Sequence, residues 1–263
     1  MPATRAKPFP KPNTYSELGP VYDEIWPHPF DAWEPARQRM LRPILPRVKS
    51  VCELGCGSGI AAIEFARQRR KVFALDLSSA MCRITREKVQ RARLDVRVWR
   101  ADIRSFRLPE PVDLVSCQWG VINHLPQRAE LVKVARAVAR ALRLGGHFYF
   151  DLHQKRFYEE LWTPTDYGES SKLFAVQRGG FDRRSGKGWT HLTWFVRRPK
   201  GLWERHDDSL VEIEWPHSEI VRVLRAAGLE MIRVFDFPDL ARAPISRPTS
   251  NGLRTMYLAK KTK

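Results

Sequence analysis

Short apolar runs alternate with amphipathic segments over the first 153 residues of the chain. The runs predict buried strands at 48–54, 71–76, 95–100, 112–118 and 144–153. The segments between them carry apolar residues at three- and four-residue spacing, most clearly between Pro126 and Leu144, and this spacing predicts amphipathic helices. Strands that alternate with helices are typical of βαβ units around a parallel sheet, so the pattern predicts an α/β fold.

The pattern changes within residues 154–215, where apolar and polar residues alternate with period two. Leu192 and Trp194 lie on one side of such a stretch, and the pair Gly179 and Gly180 is typical of a turn. This alternation predicts a small antiparallel sheet inserted after the fifth strand.

The α/β pattern then resumes. We expect a helix from Pro216 to Ala227 that Gly228 ends, followed by strands at 229–237 and 253–260 with a proline-broken loop between them. Together with the first five, these strands predict a doubly wound, mostly parallel sheet of seven strands. The predicted division of the chain is a flexible leader at 1–14, a main domain at 15–153 and 216–263, and the insertion at 154–215.

The composition limits the environment of the protein. With 263 residues, of which 43% are hydrophobic, the chain fits one domain with an insertion better than two equal domains. It has no apolar run of the roughly eighteen residues that a membrane helix needs, and its first residues lack the apolar core of a signal peptide. Its cysteines show no paired CxxC spacing: Cys52, Cys56, Cys82 and Cys117. We therefore expect reduced thiols and a cytoplasmic location, without membrane association.

The formal net charge of +17 raises the question of an anionic partner. Three interpretations are open. Arginines on solvated helix faces would give this excess, an RNA or another polyanion would use it, and an acidic small substrate would be attracted by it. Because the basic residues are spread along the chain, the charge alone does not name the partner.

A glycine loop follows the first predicted strand, in the segment VCELGCGSG at 51–59. Its glycines, Gly55, Gly57 and Gly59, have the spacing GxGxG, whereas dinucleotide sites have GxGxxG. Glu53 stands two residues before the first glycine, where a carboxylate would repel phosphate and attract a cation. A nucleoside cofactor with a positively charged tail and no phosphate fits both observations.

The ordered motifs of this chain resemble the class I S-adenosylmethionine-dependent methyltransferases, which have a Rossmann-like fold. The matching segments are ELGCGSG at 53–59, ALDLSSAM at 74–81, ADI at 101–103, DLVSCQWGVINHL at 113–125 and LRLGGHFYFDLH at 143–153. The resemblance runs from about residue 15 to the end, in the family's order and spacing. It implies S-adenosyl-L-methionine as cofactor and S-adenosyl-L-homocysteine as product.

The resemblance also implies the residues that bind the cofactor. The glycine loop would lie against the methionine part, since a β-carbon would intrude there, and Glu53 would orient the ammonium end. Asp76, with Leu77 beside it, would accept both ribose hydroxyl protons, and Asp102 would accept the adenine amino group. The full implied set is Glu53, Gly55, Cys56, Gly57, Gly59, Asp76, Leu77, Asp102, Ile103, Gln118 and Trp119.

The methyl acceptor would contact aromatic residues near the N-terminus. The segment at 15–35 resembles the one that closes over the methyl group in small-molecule members, with Tyr15 and Tyr22 as candidate catalytic residues and Trp33 as a substrate contact. Core packing would account for the same aromatic residues. The insertion, which carries Trp189, Trp194, Phe195 and Trp203, resembles the lid of amine methyltransferases such as the glycine and sugar N-methyltransferases.

Three further residues near the predicted strand ends could act on the acceptor. His153 is a candidate general base because an ordinary imidazole titrates near neutral pH. His124 and Asp151 are candidate substrate contacts, and all three also have ordinary structural roles open to them. No metal site is expected, because acids do not cluster after the fourth and fifth strands.

The sequence therefore predicts a methyltransferase for a small-molecule acceptor, at an amine nitrogen first and at oxygen next. Nucleic-acid methylation is less favoured, since the fourth strand ends in SCQWG rather than in an Asn/Asp-Pro-Pro-aromatic run, and there is no Pro-Cys nucleophile. An RNA methyltransferase that uses the basic surface and a non-catalytic S-adenosylmethionine-binding protein are the alternatives. The protein is expected to be a monomer or a homodimer.

Overall fold

The computed structural model of the protein describes residues 15–26, 30–237 and 252–263, without the side chains of Ser16 and of residues 30–33. The predicted leader at 1–14 and the proline-broken loop at 238–251 lie outside the described residues.

The strands of the described residues are, in chain order, β1 (Ser50–Leu54), β2 (Lys71–Asp76), β3 (Val96–Arg100), β4 (Val112–Cys117), β5 (Leu142–His153), β6 (Asp166–Glu169), β7 (Leu173–Asp182), β8 (Lys187–Arg197), β9 (Trp203–Ile213), β10 (Leu229–Phe237) and β11 (Arg254–Lys261). The α-helices of this part of the chain are α1 (Tyr15–Leu18), α2 (Tyr22–Ile25), α3 (Phe30–Leu41), α4 (Ile60–Arg67), α5 (Ser79–Arg91), α6 (Arg128–Ala141), α7 (Lys155–Phe157) and α8 (His217–Ala226). Short 3₁₀ turns include Val121–His124, and a π-helical turn covers Tyr158–Trp162.

Seven strands form the main sheet in the order β10-β11-β5-β4-β1-β2-β3. The pairs from β5 through β3 are parallel, and β11 is antiparallel to both of its neighbours. The chain winds outward from β1 in one direction and from β4 in the other, so the strand order reverses between them. Such a reversal opens a crevice at the carboxyl ends of the strands, where ligands bind in open α/β sheets. The structure confirms the predicted doubly wound, mostly parallel sheet of seven strands.

Helices cover both faces of the main sheet. On one face, α3 and α4 contribute Met40 and Phe65 to an apolar cluster, and on the other, α6 and α8 contribute Val138 and Leu224 to a second cluster. All five residues of β1 are buried as a result. Burial on both faces explains why the central strands are continuous apolar runs in the sequence.

The entry into β5 differs from the prediction. The predicted strand begins at residue 144, after a helix that a glycine would typically cap, but α6 ends at Ala141 and Leu142 is already extended. Gly145 lies inside the strand with a positive φ of 77°, and a β-carbon on Gly146 would meet the carbonyl oxygen of Arg143 at 2.9 Å. The glycines therefore permit an irregular pairing of β4 with β5 rather than a helix cap.

A separate antiparallel sheet follows β5, in the order β6-β7-β8-β9, as the period-two pattern predicts. The predicted turn at Gly179 and Gly180 is wrong, because both residues lie inside β7 and pair with β8. One face of it packs on the N-terminal segment. Leu192 and the almost fully buried Trp194 of β8 form an apolar cluster there with Leu18, and Tyr15 and Tyr22 pack against this cluster. The inserted sheet and helices α1 and α2 thus lie together beside the main sheet.

In the described part of the chain, no helix is both long enough and apolar enough to span a membrane.

Candidate active site

The glycine loop leaves the carboxyl end of β1 with three residues in the left-handed region: Gly55, Gly57 and Gly59 have φ values of 62°, 51° and 87°. At two of them, packing also requires glycine. A β-carbon would lie 2.7 Å from Val121 at Gly55 and 2.6 Å from Thr85 at Gly59. At Gly57 a β-carbon would meet nothing within 4 Å. The loop is therefore packed on both ends and presents bare backbone to open space at its centre.

Asp76 ends β2 and holds this loop in place. Its Oδ2 accepts a hydrogen bond from the Gly57 N–H at 2.9 Å, and its Oδ1 accepts one from the Ser78 N–H at 2.8 Å. Burial raises the pKa of Asp76, and the backbone hydrogen bonds lower it in part. Each carboxylate oxygen can accept a second hydrogen bond, so Asp76 keeps the capacity to bind two hydroxyl groups.

Glu53 lies in β1 just before the loop and is almost fully buried. Its Oε2 has no hydrogen-bond partner among the described residues. Burial raises the pKa of Glu53 to about 8, against the lowering effects of the Ser116 hydroxyl and the Arg37 charge. A buried acceptor without a partner costs free energy, and a cationic donor from a ligand would supply the missing partner.

Asp102 follows β3, and Arg104 occupies its carboxylate. The Arg104 guanidinium makes contacts of 2.6–3.0 Å with both oxygens, and the Arg104 N–H donates to Oδ1 at 2.8 Å. These hydrogen bonds lower the pKa of Asp102. Arg104 also pairs with Glu130. An adenine amino group would therefore have to share Asp102 with Arg104.

The other predicted cofactor residues lie around these carboxylates. Ile103 is half-buried, Leu77 is exposed, and Cys56 is buried with its Sγ 3.8 Å from the Thr85 hydroxyl. Gln118 is buried and donates to the Ser116 hydroxyl at 2.9 Å, and Trp119 is half-buried; both residues follow the end of β4.

These residues fit S-adenosylmethionine. The bare backbone at Gly57 leaves the space that the methionine part needs, the buried Oε2 of Glu53 can accept its ammonium group, and Asp76 can accept the ribose hydroxyls. The donor set is acidic and contains no phosphate-binding side chain at the loop, in agreement with a positively charged cofactor.

Asp151 lies at the carboxyl end of β5 and organises the turn after β4. It accepts hydrogen bonds from the N–H groups of Trp119 and Gly120, which both have positive φ. Arg254 of β11 donates to its Oδ2 at 2.9 Å and also lies over the Trp119 ring, 4.8 Å from its centre. Asp151 therefore holds the strained turn at Trp119 and Gly120 in place.

His153 is buried next to this pair, with both ring nitrogens engaged. Nε2 lies 3.0 Å from Nη2 of Arg254, and Nδ1 lies 2.8 Å from Oε2 of Glu212. Because a guanidinium can only donate, Nε2 accepts and Nδ1 carries the proton. Burial and the Arg254 charge keep the pKa of His153 well below its usual value. The neutral ring stacks on Phe157, so this geometry leaves no ring nitrogen for an acceptor.

Tyr15 and His124 lie together in front of Glu212. The Tyr15 hydroxyl is 3.1 Å from Nε2 of His124, which in turn is 3.5 Å from Oε1 of Glu212. Tyr22 packs edge-on against Tyr15, with ring centres 6.0 Å apart. Burial raises the pKa values of both tyrosines well above the usual range. Trp33 lies in α3, but its side chain is outside the described residues.

The aromatic residues of the insertion divide between its faces. Trp194 is buried, Phe195 is half-buried, and Trp189 and Trp203 are 41% and 46% exposed. Trp194 therefore belongs to the packing of the insertion on the N-terminal helices.

Glu212, Arg254 and Tyr158 belong to the site but were not predicted from the sequence. Glu212 lies in the period-two pattern of β9, where an acid between apolar residues is typical of a solvent-facing position, yet it is 3% exposed. Arg254 is one of many arginines in a basic chain, and nothing in its neighbourhood distinguishes it. No sequence signal marks Tyr158 either, because it lies outside the regular patterns. Among the described residues, no group of three or more His, Cys, Asp or Glu could hold a metal ion.

Part of the chain matches a known protein family. Residues 51–146 match the model of a family described as "Methyltransferase domain". A curated relative, the dTDP-4-amino-2,3,4,6-tetradeoxy-D-glucose N,N-dimethyltransferase of Saccharopolyspora spinosa, is 30% identical over 145 residues, which cover 51% of this chain and 57% of that protein.

Solved structures match over nearly the whole chain. An S-adenosylmethionine-dependent methyltransferase from Clostridium acetobutylicum ATCC 824 has a TM-score of 0.77 at 19% identity, and the match covers 94% of this chain and 98% of the other. A sugar N-methyltransferase from Streptoalloteichus sp. ATCC 53650 has a TM-score of 0.73 at 19% identity, covering 100% and 99%. At these identities the two structures establish a shared fold.

Proposed function

We propose that this chain, which is a class I S-adenosylmethionine-dependent methyltransferase, methylates an amine nitrogen of a small molecule. The choice of an amine as the acceptor rests on the acidic and aromatic groups around Tyr15. The cofactor residues described above are not specific to any acceptor.

Three carboxylates and Tyr22 disfavour ionisation of the Tyr15 hydroxyl. Burial is the largest cause of its raised pKa, and Tyr22 and the charges of Glu212, Asp76 and Asp208 raise it further. The chain as a whole has a net charge of +17, whereas the carboxylates that act on Tyr15 contribute negative charge when they are ionised. A protonated amine is attracted to such a site, whereas a phosphate is repelled.

The inserted sheet contributes two of these three carboxylates. Asp208 and Glu212 both lie on β9, on the side that faces Tyr15, and burial raises the pKa of Asp208 to about 6. This placement supports the predicted division of the chain, in which residues 154–215 cover the acceptor. We propose that the insertion covers the acceptor pocket.

The chain's own residues have three tasks in such a reaction. When bound, S-adenosylmethionine supplies the methyl group and its own leaving group. Tyr15 and Tyr22 orient the acceptor and exclude water, and the aromatic faces favour a cationic amine. The Tyr15 hydroxyl and Nε2 of His124 are placed to take up the proton that an ammonium must lose before its nitrogen can react. His153, which lacks a free ring nitrogen, supports this arrangement from behind.

The names of two similar proteins favour nitrogen as the acceptor atom, although other relatives are named for O-methylation in ubiquinone biosynthesis. The relative from Saccharopolyspora spinosa is named for dimethylation of an amino deoxysugar nucleotide, and the structure from Streptoalloteichus for methylation of a sugar nitrogen. An amino sugar is therefore the first acceptor class to test.

The test is methyl transfer from labelled S-adenosylmethionine to four acceptor sets: amino-sugar nucleotides, simple amines, phenols and total RNA. We expect label on an amine nitrogen, identified by mass spectrometry. Tyr15→Phe should reduce the rate by about tenfold or more, since it removes the hydroxyl that contacts both the acceptor and His124. Arg91→Gln, on an exposed part of α5, is the control and should leave the rate unchanged.

The other outcomes are equally informative. Label on phenols would move the acceptor atom to oxygen, and label on RNA would make the basic surface functional. Binding of the cofactor with no transfer to any acceptor, including those of a cell extract, would favour a non-catalytic role.

A further inference from the structure

Glu212 is a buried carboxylate on the inserted sheet that reaches into the site of the main domain. It lies near the end of β9 and is 3% exposed. Acidic side chains are almost never buried to this extent unless they are paired, because removing a charge from water is costly. Burial raises the pKa of Glu212 to about 7, and His124 is the first of the groups that lower it.

The two oxygens of Glu212 have different partners. Oε2 lies 2.8 Å from Nδ1 of His153 and accepts a hydrogen bond from the Tyr158 hydroxyl at 3.1 Å. Both partners are buried and fixed, so this oxygen is held from behind. Oε1 lies 3.5 Å from Nε2 of His124. One oxygen thus fixes the side chain, and the other places its charge against the imidazole.

His124 connects this charge to the acceptor pocket. It is only half-buried, and the same Nε2 that faces Glu212 lies 3.1 Å from the Tyr15 hydroxyl. In the neutral imidazole, Nε2 can accept the Tyr15 proton. Once protonated, Nε2 would carry its hydrogen next to Oε1 of Glu212, and the positive charge would be stabilised there.

The groups around Glu212 determine which carboxylate can stabilise a positive charge on His124. The titratable and charged groups that face it are His153 and Asp151 on β5, Arg254 on β11, Tyr158 in the π-helical turn, His124 in the 3₁₀ turn and Tyr15 on α1. Asp151 and Arg254 form an ion pair with each other. Asp151 is thus occupied by Arg254, and Glu212 supplies the negative charge next to Nε2 of His124.

We propose that Glu212 is a positioning residue for methyl transfer, which acts through His124. This proposal rests on the proposed function, because it requires an acceptor that must lose a proton. The ammonium proton of the acceptor moves to the Tyr15 oxygen while the Tyr15 hydroxyl proton moves to Nε2 of His124, and the electron pair stays on the acceptor nitrogen. The His124 proton leaves to water at the end of the turnover. Because Glu212 belongs to the inserted sheet, this proton path is complete only when that sheet is in place.

The primary test is Glu212→Gln, which keeps the size and removes the charge. At pH 7 we expect kcat to fall about 100-fold, within the range of general acid–base effects, with the acceptor KM and the cofactor Kd changed less than about threefold. The deficit should shrink below about tenfold at pH 9.5, where more of the acceptor arrives without its proton. The matched control is Glu204→Gln on the same strand, which is exposed and pairs with Arg198, and it should retain the wild-type rate.

A merely structural role would give a different pattern. A loss of kcat that is equal at every pH, or a rise in KM with kcat unchanged, would overturn the proposal. The double variant Glu212→Gln/His124→Gln supplies a second criterion. If Glu212 acts through His124, the double variant should be no slower than His124→Gln alone, whereas independent roles would give multiplied losses.

A measurement without acceptor separates this proposal from the proposed function. The ¹⁵N signal of Nε2 in His124, assigned by its loss in His124→Gln, should shift in Glu212→Gln and stay unchanged in Glu204→Gln. An unchanged signal in Glu212→Gln overturns the role of Glu212, whatever the acceptor is.

If Glu212→Gln does not fold, Glu212→Asp takes its place. It keeps the charge at a greater distance, so the signal should move while the dependence of the rate on pH stays that of the wild type. If the wild-type protein methylates no amine but the signal shifts as expected, the proposed function fails while the contact between Glu212 and His124 stands.

Discussion

At the scale of single residues, the proposed cofactor site contains two carboxylates with opposite surroundings. Asp76 accepts two backbone N–H groups, whereas Oε2 of Glu53 has no partner among the described residues. The first carboxylate is therefore stabilised by the fold itself, and the second is completed by a ligand. This difference leads to two separable predictions, one for each residue.

Asp76→Ala should weaken cofactor binding by at least tenfold without unfolding the protein. The substitution removes the acceptor for ribose and also the bond that holds Gly57, so the glycine loop loses its fixed position. Calorimetric titration with S-adenosylhomocysteine measures the effect, and thermal unfolding checks the fold. Asp95→Ala, an exposed acid before β3, should leave binding unchanged. Equal affinity of Asp76→Ala and the wild type would contradict the site.

Glu53→Gln should stabilise the cofactor-free protein above neutral pH while it weakens cofactor binding. The pKa of Glu53 is about 8 in the folded protein and ordinary, about 4.3, in the unfolded chain. The folded state therefore binds the proton more tightly, and the free energy of unfolding falls as pH rises from about 4.5 to 8. At pH 8 the variant should be more stable by about 1 kcal/mol or more, which raises the Tm by about 2 °C or more.

The measurement for Glu53→Gln is thermal unfolding at pH 5 and pH 8. The gain in stability should be small at pH 5 and present at pH 8, and S-adenosylhomocysteine should bind at least tenfold more weakly. Glu87→Gln, on an exposed part of α5, is the control for a general charge effect. A gain of the same size at both pH values would show that Glu53 is ionised throughout and would contradict its raised pKa.

At the scale of elements, strands were predictable where both faces are buried. The strand at Lys71–Asp76 has the predicted bounds because an apolar run bordered by polar residues has no other way to bury itself. The start of β5 was predicted wrongly, since Gly145 and Gly146 in the sequence are equally typical of a helix cap and of an irregular strand. Only the pairing with β4 distinguishes the two, and that pairing is not local in sequence.

The inserted sheet shows why part of the site could not be predicted. Period two establishes that β9 is a strand but not which of its faces meets another layer. Glu212 lies on the face with Asp208 and Leu210, and this face is buried against other parts of the protein, including the N-terminal helices. Tyr15 and Asp76, by contrast, lie in motifs whose order in the chain resembles that of a known family. Those motifs led to the prediction of the cofactor residues, and they carry no information about Glu212.

Gly57→Ala tests the open space at the centre of the glycine loop. A β-carbon there meets no protein atom within 4 Å, but the residue has a positive φ of 51°. Gly201 in the insertion is a matched control, because it has a φ of 73° and equally open surroundings. Both substitutions should destabilise the protein by about 1–2 kcal/mol.

Only Gly57→Ala should also reduce cofactor binding, by at least tenfold, since the added methyl group fills space that the methionine part needs. Thermal unfolding and calorimetric titration of the two variants separate the backbone effect from the binding effect. If Gly57→Ala binds as tightly as Gly201→Ala, the cofactor does not lie against the centre of the loop.

At the scale of the whole molecule, one buried amide joins the two sheets. The side chain of Asn123 donates to the carbonyl oxygens of His153 on β5 and Ile213 on β9, and it accepts from the His153 N–H. Its Nδ2 also lies 3.0 Å from the Tyr158 hydroxyl, which contacts Glu212. The inserted sheet is therefore tied to the main sheet at the position where it delivers its carboxylate to the site.

The net charge of +17 and the acidic pocket make opposite predictions about salt. A cationic amine is repelled by the molecule at long range and attracted by Glu212, Asp76 and Asp208 at short range. Salt screens the long-range repulsion more than the contacts in a partly buried pocket. For an amine acceptor, kcat/KM should therefore stay constant within about threefold, or rise, between 50 and 200 mM salt. An RNA acceptor bound by several phosphate contacts would lose affinity by about a thousandfold over the same range.

Steady-state rates at several salt concentrations, with potassium chloride as the only variable, give the sign of the change in kcat/KM directly. A steep fall of kcat/KM for the amine would mean that the acceptor is recognised through an anionic group, and it would transfer the choice of substrate from the acidic pocket to the basic surface.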